Sequence, residues 1–304
     1  MKEKFFLILF LSLAFFLFFF FSFQKQPSEE QIITSSAQKE KKPVVLIAAG
    51  DVMLGRSVNT KMRSLNDWTY PFSQTASFLK QADLTFINLE SPFWQDCPSI
   101  DTGMVFCSDP KAMVGLTLAG IDIANLANNH IQNYGQKGID LTQKLLIQQG
   151  ITPLGPKDNL VTKTIGGTRF GFLGFSLLEN FDQEEIIQKI TQESEKVDIL
   201  VVSLHWGGEY RQKPSSWQVD LAHRLVENGA DLILGHHPHV IQEREIYQDV
   251  PIIYSLGNFI FDQPWSEETK KGLVGIFTFE KKKLIKTEFK KVSIQNLCQP
   301  VFVE

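Results

Sequence analysis

Three of the chain's six histidines, His236, His237 and His239, fall within four positions, directly after the apolar run 232–234 and Gly235. Side chains alternate along an extended segment, so the spacing predicts His237 and His239 on one side and His236 on the other, with Pro238 stiffening the backbone between them. Two neutral imidazoles converging from one side suit a zinc-like or manganese-like ion. The same kind of ending recurs along the chain. Run 44–49 stops at Gly50-Asp51, run 84–89 ends Asn88-Leu89-Glu90, run 121–126 leads into Asn128-Asn129-His130, and run 199–204 into His205-Trp206-Gly207. Taken singly, each has an ordinary explanation: an Asp or Asn caps a helix, and a buried His packs in a core. Five strand ends that all finish in carboxylate, amide or imidazole point to a dinuclear metal centre.

Those endings need elements to carry them. The runs just named, with 252–256, read as strands, and the segments 112–119, 138–149, 184–195 and 217–228 carry helical periodicity, the last closing at Gly229. Segments 169–176 and 272–280 read as further strands, antiparallel ones. Strands alternating with helices predict an α/β fold with a largely parallel or mixed sheet covered by helices. In such sheets ligands bind beyond the carboxyl ends of the strands, which gathers the metal-capable groups on one edge.

Upstream, Phe5 to Phe23 is uncharged and apolar. About 19 residues at about 1.5 Å each span roughly 30 Å, enough to cross a bilayer. Residues 1–23 therefore read as a single-pass signal anchor, with Lys2 and Lys4 keeping the N-terminus cytoplasmic and the rest of the chain outside the cell membrane. Residues 24–42 read as a flexible polar stalk, and 43–304 as one domain. The formal charge of −4 gives no basic field for nucleic acid. The Lys-rich stretch 281–291 alternates with apolar residues and reads as a solvated strand face. Cys97 and Cys107 could pair outside the cell, leaving Cys298 free.

The runs Ala49-Gly50-Asp51-Val52-Met53-Leu54-Gly55-Arg56, Asn88-Leu89-Glu90-Ser91-Pro92, Leu126-Ala127-Asn128-Asn129-His130, His205-Trp206-Gly207-Gly208-Glu209-Tyr210, Gly235-His236-His237-Pro238-His239-Val240 and Tyr254-Ser255-Leu256-Gly257-Asn258-Phe259 resemble, in order, the CapA family of bacterial poly-gamma-glutamate capsule-synthesis proteins. That family is in turn similar to the calcineurin-like metallophosphoesterases. The resemblance implies a two-sheet α/β sandwich with two divalent ions, manganese, zinc or iron, at one edge. By it, Asp51 and His239 hold the first metal, Glu90 bridges, Asn129, His205 and His237 hold the second, and His130 is the general acid. Two cations about 3.5–4 Å apart ionise a water near neutral pH for in-line attack on phosphorus, and His130 protonates the departing oxygen. Two positions depart from the phosphoesterases. Met53 stands where they carry an imidazole, and Glu90 replaces an Asp.

Around this set, Arg56, Glu209, Tyr210, Arg211 and Asn258 are candidate substrate contacts. Asp262 is a further candidate for lining the site, the loop 93–109 for setting substrate choice, and His223 reads as structural. The expectation is a membrane-anchored hydrolase of phosphoesterase type in poly-gamma-glutamate or other cell-surface polymer production. Its partners would be the cytoplasmic membrane, membrane-bound synthase or export subunits, and an anionic polymer or phosphate-containing substrate. The alternatives are a non-catalytic accessory subunit and a metal-dependent amide hydrolase.

Overall fold

The computed structural model describes residues 42–156 and 159–304. The expected membrane segment and nearly all of the stalk lie outside the described residues, and among those described no helix is long and apolar enough to cross a membrane. The strands are β1 (Val44–Val52), β2 (Leu84–Leu89), β3 (Ile123–Asn125), β4 (Thr152–Leu154), β5 (Val161–Ile165), β6 (Thr168–Ser176), β7 (Ile199–His205), β8 (Leu232–His236), β9 (Arg244–Tyr247), β10 (Val250–Ile253), β11 (Asn258–Ile260), β12 (Lys271–Glu280), β13 (Lys283–Gln295) and β14 (Gln299–Val303). The helices are α1 (Arg56–Leu65), α2 (Ala76–Leu79), α3 (Met113–Ala119), α4 (Gly135–Gln148), α5 (Gln183–Ser194) and α6 (Ser216–Glu227).

One sheet runs β14-β13-β12-β1-β2-β3-β4, with β11 also paired to β1; the other runs β5-β6-β7-β8-β10-β9. Strands β1 to β4 are mutually parallel, as are β6, β7, β8 and β10. Both faces of the central strands are covered, so these strands are apolar throughout and their alternation divides two cores. In β1, Leu46 and Ala48 face the second sheet, joining Phe86, Phe172 and Leu234 between the layers. Ile47 and Ala49 face the opposite way, toward α1, α3 and α4 with Val58, Leu116 and Leu146. The outer face of the second sheet packs Leu200, Val202 and Ile233 under Ile190 of α5 and Leu221 and Leu225 of α6. The result is a helix-sheet-sheet-helix sandwich.

Two glycines let the sheets close at the chemically loaded edge. A Cβ on Gly50 would lie 2.0 Å from the carbonyl oxygen of Gly257, and one on Gly235 2.0 Å from that of Tyr254. Backbone at such contact admits no other residue, and these glycines immediately precede Asp51 and His236.

Several expectations are refined. Segment 169–176 pairs antiparallel with β5 but parallel with β7, so β6 is an interior strand of mixed type. The stretch 281–291 is a hairpin turn followed by the largely exposed β13, a solvated strand face as the alternation implied. The His-Xaa-His segment is not extended. β8 ends at His236, and φ is 94° at His237 and 56° at His239, so both leave the strand in left-handed turns. Strand alternation therefore does not place these rings.

Cys97 and Cys107 form a disulfide, and Cys298 is a free, buried thiol in the core beside the first sheet. Burial pushes that thiol up to about 12. Thiol titration of the full chain should find no reactive group in the native state, one after unfolding without reductant, and three after reduction. Two or more thiols in the unreduced, unfolded chain would refute the pairing.

Candidate metal centre

Asp51, at the end of β1, is fully buried and meets four partners. Its Oδ1 accepts from the Asn88 amide at 2.9 Å and lies 3.1 Å from His236 Nδ1. Its Oδ2 accepts the His237 backbone N–H at 3.2 Å and lies 3.2 Å from His239 Nδ1. Glu90, one residue past β2, is equally buried. Its Oε1 accepts from the same Asn88 amide at 3.0 Å and sits 3.6 Å from His205 Nδ1, while His239 Nε2 approaches Oε2 at 3.9 Å. Ligand atoms of Asp51, Glu90 and His239 all lie within 4.8 Å of one another.

The second group lies alongside. His205, the last residue of β7, faces Asn129 with Nε2 and Oδ1 2.9 Å apart, and its ring centroid is 4.8 Å from that of His237. Glu209, expected at the rim as a substrate contact, instead brings its carboxylate within 4.8 Å of ligand atoms of both His237 and His239. The loop after β7 crosses the His-Pro-His turn, where the Tyr210 N–H donates to the Pro238 carbonyl at 2.8 Å.

His130 stacks on Phe106 with centroids 3.8 Å apart, and its Nδ1 is 3.1 Å from Asn133 Oδ1. That oxygen also accepts the Phe106 N–H at 2.7 Å. It is therefore the carbonyl end of the amide, so Nδ1 carries the hydrogen and Nε2 is left with a lone pair. Burial pulls this imidazole down to about 4, against the pull of the Asn133 bond.

The electrostatics explain what such a cluster lacks. Burial works to raise the Asp51 carboxyl, but hydrogen bonds from His236 and His239 prevail and hold it well below the usual range. Glu90 goes the other way, pushed well up by burial and then by the negative charge of Asp51. Burial and the neighbouring His237 hold His205 down, and burial with His239 brings His237 to about 4. A charged Asp51, a Glu90 that resists ionising beside it, and His205 and His237 held toward their neutral forms make a site short of positive charge. Among the described residues, Glu90 Oε2 and His237 Nδ1 are buried with no hydrogen-bond partner, which is costly unless something else occupies them. The residues therefore fit divalent cations.

The amides around the carboxylates escaped the sequence reading. Asn88 Nδ2 lies 2.9, 3.0 and 3.2 Å from Asp51, Glu90 and His205, and its Oδ1 accepts from Asn125 and Asn128 at 3.0 and 3.3 Å. Asn128 Oδ1 in turn accepts the backbone N–H of His130 at 3.2 Å and of Ile131 at 3.1 Å. The signal for Asn88 was its place two residues before Glu90, on the same strand face. His236 was set apart by strand alternation, yet it grips Asp51.

Of the other expected contacts, Asn258 and Arg56 are buried in the scaffold. Asn258 Oδ1 is 3.0 Å from His239 Nδ1, and its amide donates to Gln263 and Thr269, so it orients a ligand and is closed to substrate. Arg56 is buried, forms an ion pair with Asp262, and lies over the Phe106 ring at 4.6 Å, so it is committed internally. Tyr210 is exposed, its ring 6.4 Å from that of His239, with burial of its phenol and then Glu209 pushing its hydroxyl up to about 12. Arg211 is exposed and ties in through its backbone, where its carbonyl accepts from Gln242. His223 pairs with Glu245 at 2.8 Å on the far side of α6, as a structural residue would.

Residues 45–263 match the family described as bacterial capsule synthesis protein PGA_cap. The chain belongs to this family, the CapA proteins. It is 32% identical over 259 residues to the capsule biosynthesis protein CapA of Bacillus anthracis, covering 76% of this chain and 63% of that protein. It is 31% identical over 248 residues to the PGA biosynthesis protein CapA of Bacillus subtilis, covering 74% and 65%. This chain thus spans a little under two thirds of the length of these CapA proteins. Among solved structures, a phosphatase from Mycoplasma pneumoniae superposes with a TM-score of 0.57 at 13% identity, covering 83% of this chain and 94% of that one. A hypothetical protein from Thermus thermophilus gives 0.54 at 15%, covering 82% and 98%. The CapA domain therefore has a metallophosphoesterase-like fold. In this CapA chain Met53, where phosphoesterases carry an imidazole, is fully buried in the core, and its Sδ accepts the Gly55 N–H at 3.0 Å.

Two stability measurements follow. In the metal-free chain Glu90→Gln removes a carboxyl whose ionisation is opposed by burial and then by Asp51, and should raise unfolding free energy at neutral pH by about 1–3 kcal/mol, and added divalent ions should stabilise the wild type but not the variant; a less stable metal-free variant would contradict this. Asp262→Ala strands the buried Arg56 guanidinium and should cost about 3–5 kcal/mol in urea unfolding. A loss below about 1 kcal/mol would show the pair to be solvated.

Proposed function

We propose that this chain is a metal-dependent hydrolase of phosphoesterase type, anchored to the cytoplasmic membrane and facing outward, which acts in the production of poly-gamma-glutamate or another cell-surface polymer. The observation that carries the reading is the convergence of Asp51, Glu90 and His239 within 4.8 Å, with Glu90 Oε2 buried and unpartnered among the described residues. The capsule context comes from the family. The anchor rests on the apolar run 5–23, and the association with synthase or export subunits on the family alone.

In this reading Asp51 and His239 would hold one ion and His205, Asn129 and His237 the other, with Glu90 available to both and Glu209 beside the two imidazoles. Bound divalent ions would polarise the phosphoryl group and acidify a water. The chain's own residues do the rest. Asn88 keeps the carboxylates in register by donating to both. His236 and Asn258 fix the orientations of Asp51 and His239. His130, stacked on Phe106 with Nδ1 held by Asn133, presents the Nε2 lone pair as the atom that first takes up a proton and then hands it to the departing oxygen. Asn128 ties that histidine's backbone to Asn88, so acid and ligands share one amide network.

One observation favours a second reading, a non-catalytic accessory subunit. Met53 Sδ is spent on the Gly55 N–H, so the first ion receives one imidazole fewer than in a phosphoesterase and the site can serve structure alone. Hydrolysis of an amide in the polymer by the same centre is a third possibility, for which no separate observation speaks.

Metal content and aryl phosphate hydrolysis with added manganese separate these readings. The wild type should hold close to two ions per chain and turn over. His130→Ala should keep the metal and lose about 10²–10⁴ in rate, and His237→Ala should lose metal as well. A wild type that binds metal and hydrolyses nothing identifies the accessory subunit.

A further inference from the structure

A cavity of about 700 Å³ shares a wall residue with the candidate metal centre, Asn129, whose Oδ1 lies 2.9 Å from His205 Nε2. Its opposite wall is one face of α5, Glu185, Gln188, Lys189 and Gln192, spaced so that all four point the same way. The other face of that helix is spent on the core through Ile187 and Ile190, with Ile186 joining the core cluster and also lining the cavity. The loop after β6 completes the wall with Glu179, Asn180, the Phe181 ring and Asp182.

The chemistry of this lining limits the occupant. Side-chain amides offer donors and acceptors together, whereas carboxylates only accept, so the ligand must be rich in donors. A polyanion finds the opposite of what it needs. Among the described residues Lys189 is the one lysine or arginine in the wall, against the three carboxylates of Glu179, Asp182 and Glu185, and its ammonium lies 3.1 Å from Glu193, which it shares with Lys196. Glu179, Asp182 and Glu185 would repel a glutamate polymer or a second phosphate. Hydroxyl groups, each both donor and acceptor, satisfy amides and carboxylates alike, and Phe181 offers a flat apolar surface for the C–H face of a ring. The size is that of sites that enclose a small organic ligand.

We propose that this cavity binds the uncharged saccharide portion of the substrate, so that the phosphoryl group attacked at the metal centre is borne by a sugar. The inference rests on the hydrolase reading for the position of the reacting group, but the saccharide site itself is independent of turnover.

The test is equilibrium binding of a neutral glucose trisaccharide to the full chain, with and without manganese, by saturation-transfer NMR and titration calorimetry. The wild type should bind the trisaccharide in both conditions. Gln188→Trp, which fills the cavity from an exposed helix position, should weaken it at least tenfold, and Gln192→Trp, one turn further along, should do the same; unfolding midpoints close to wild type show that both variants fold. No trisaccharide binding by the wild type, or equal binding by both folded variants, overturns the proposal. So does binding of a gamma-linked glutamate tetramer that the variants lose. Trisaccharide binding that the variants lose, in a protein that hydrolyses no phosphate ester, upholds the cavity and removes only the hydrolase reading.

Discussion

Two fully buried carboxyl groups, Asp51 and Glu90, set the terms for the rest of this molecule. Burying one ionised carboxylate is expensive, and burying two side by side is possible only where opposite charge or dense hydrogen bonding offsets the cost. The protein meets part of this with polar groups. One amide nitrogen, that of Asn88, donates to both, and His236 and His239 flank Asp51. It leaves the remainder open, at Glu90 Oε2 and His237 Nδ1. A divalent cation bound there would satisfy both atoms, and its affinity would then be linked to fold stability through them.

The two-sheet architecture is what makes that concentration of polar groups tolerable. Each ligand stands at or just beyond the carboxyl end of a parallel strand, where the ladder has stopped and the side chain is free to turn inward. The strands behind are apolar on both faces, and the three cores they form hold the edge rigid. Gly50 and Gly235 allow backbone contact where a side chain would wedge the edge apart. Rigidity at this edge matters because the charges must stay converged without the help of solvent.

The amide network gives the centre a character different from a bare ligand cluster. Asn125 and Asn128 orient Asn88, Asn88 registers the two carboxylates, and Asn128 also holds the backbone at His130. Ligands and the proton-handling histidine are thereby positioned by one set of hydrogen bonds. The departure at Met53 is local by comparison. Its sulfur is folded back onto Gly55 and the rest of the network does not pass through it.

Much of this was legible in the residues alone. Strand ends in Asp51, Glu90, Asn129, His205 and the histidine run were visible because strand apolarity stops abruptly where chemistry begins, and the α/β class followed from the alternation of elements. Motif order was enough to name the family. What the chain order could not supply was the role of residues whose partners lie far away in sequence. Asn258 and Arg56 read as rim contacts and are buried supports, Glu209 read as a substrate contact and stands beside imidazoles, and His236 was set aside although it holds Asp51 from 185 positions away. The turn at His237 and His239, with φ of 94° and 56°, is equally absent from local preference, since it is imposed by backbone contacts with Asp51 and Tyr210. Periodicity and strand length are local properties, and for that reason the residue order alone settles which chemical groups reach the sheet edge. Which atoms meet there is settled in three dimensions, because hydrogen bonds between two sheets and the close approach of glycine backbones depend on distances that no local pattern encodes.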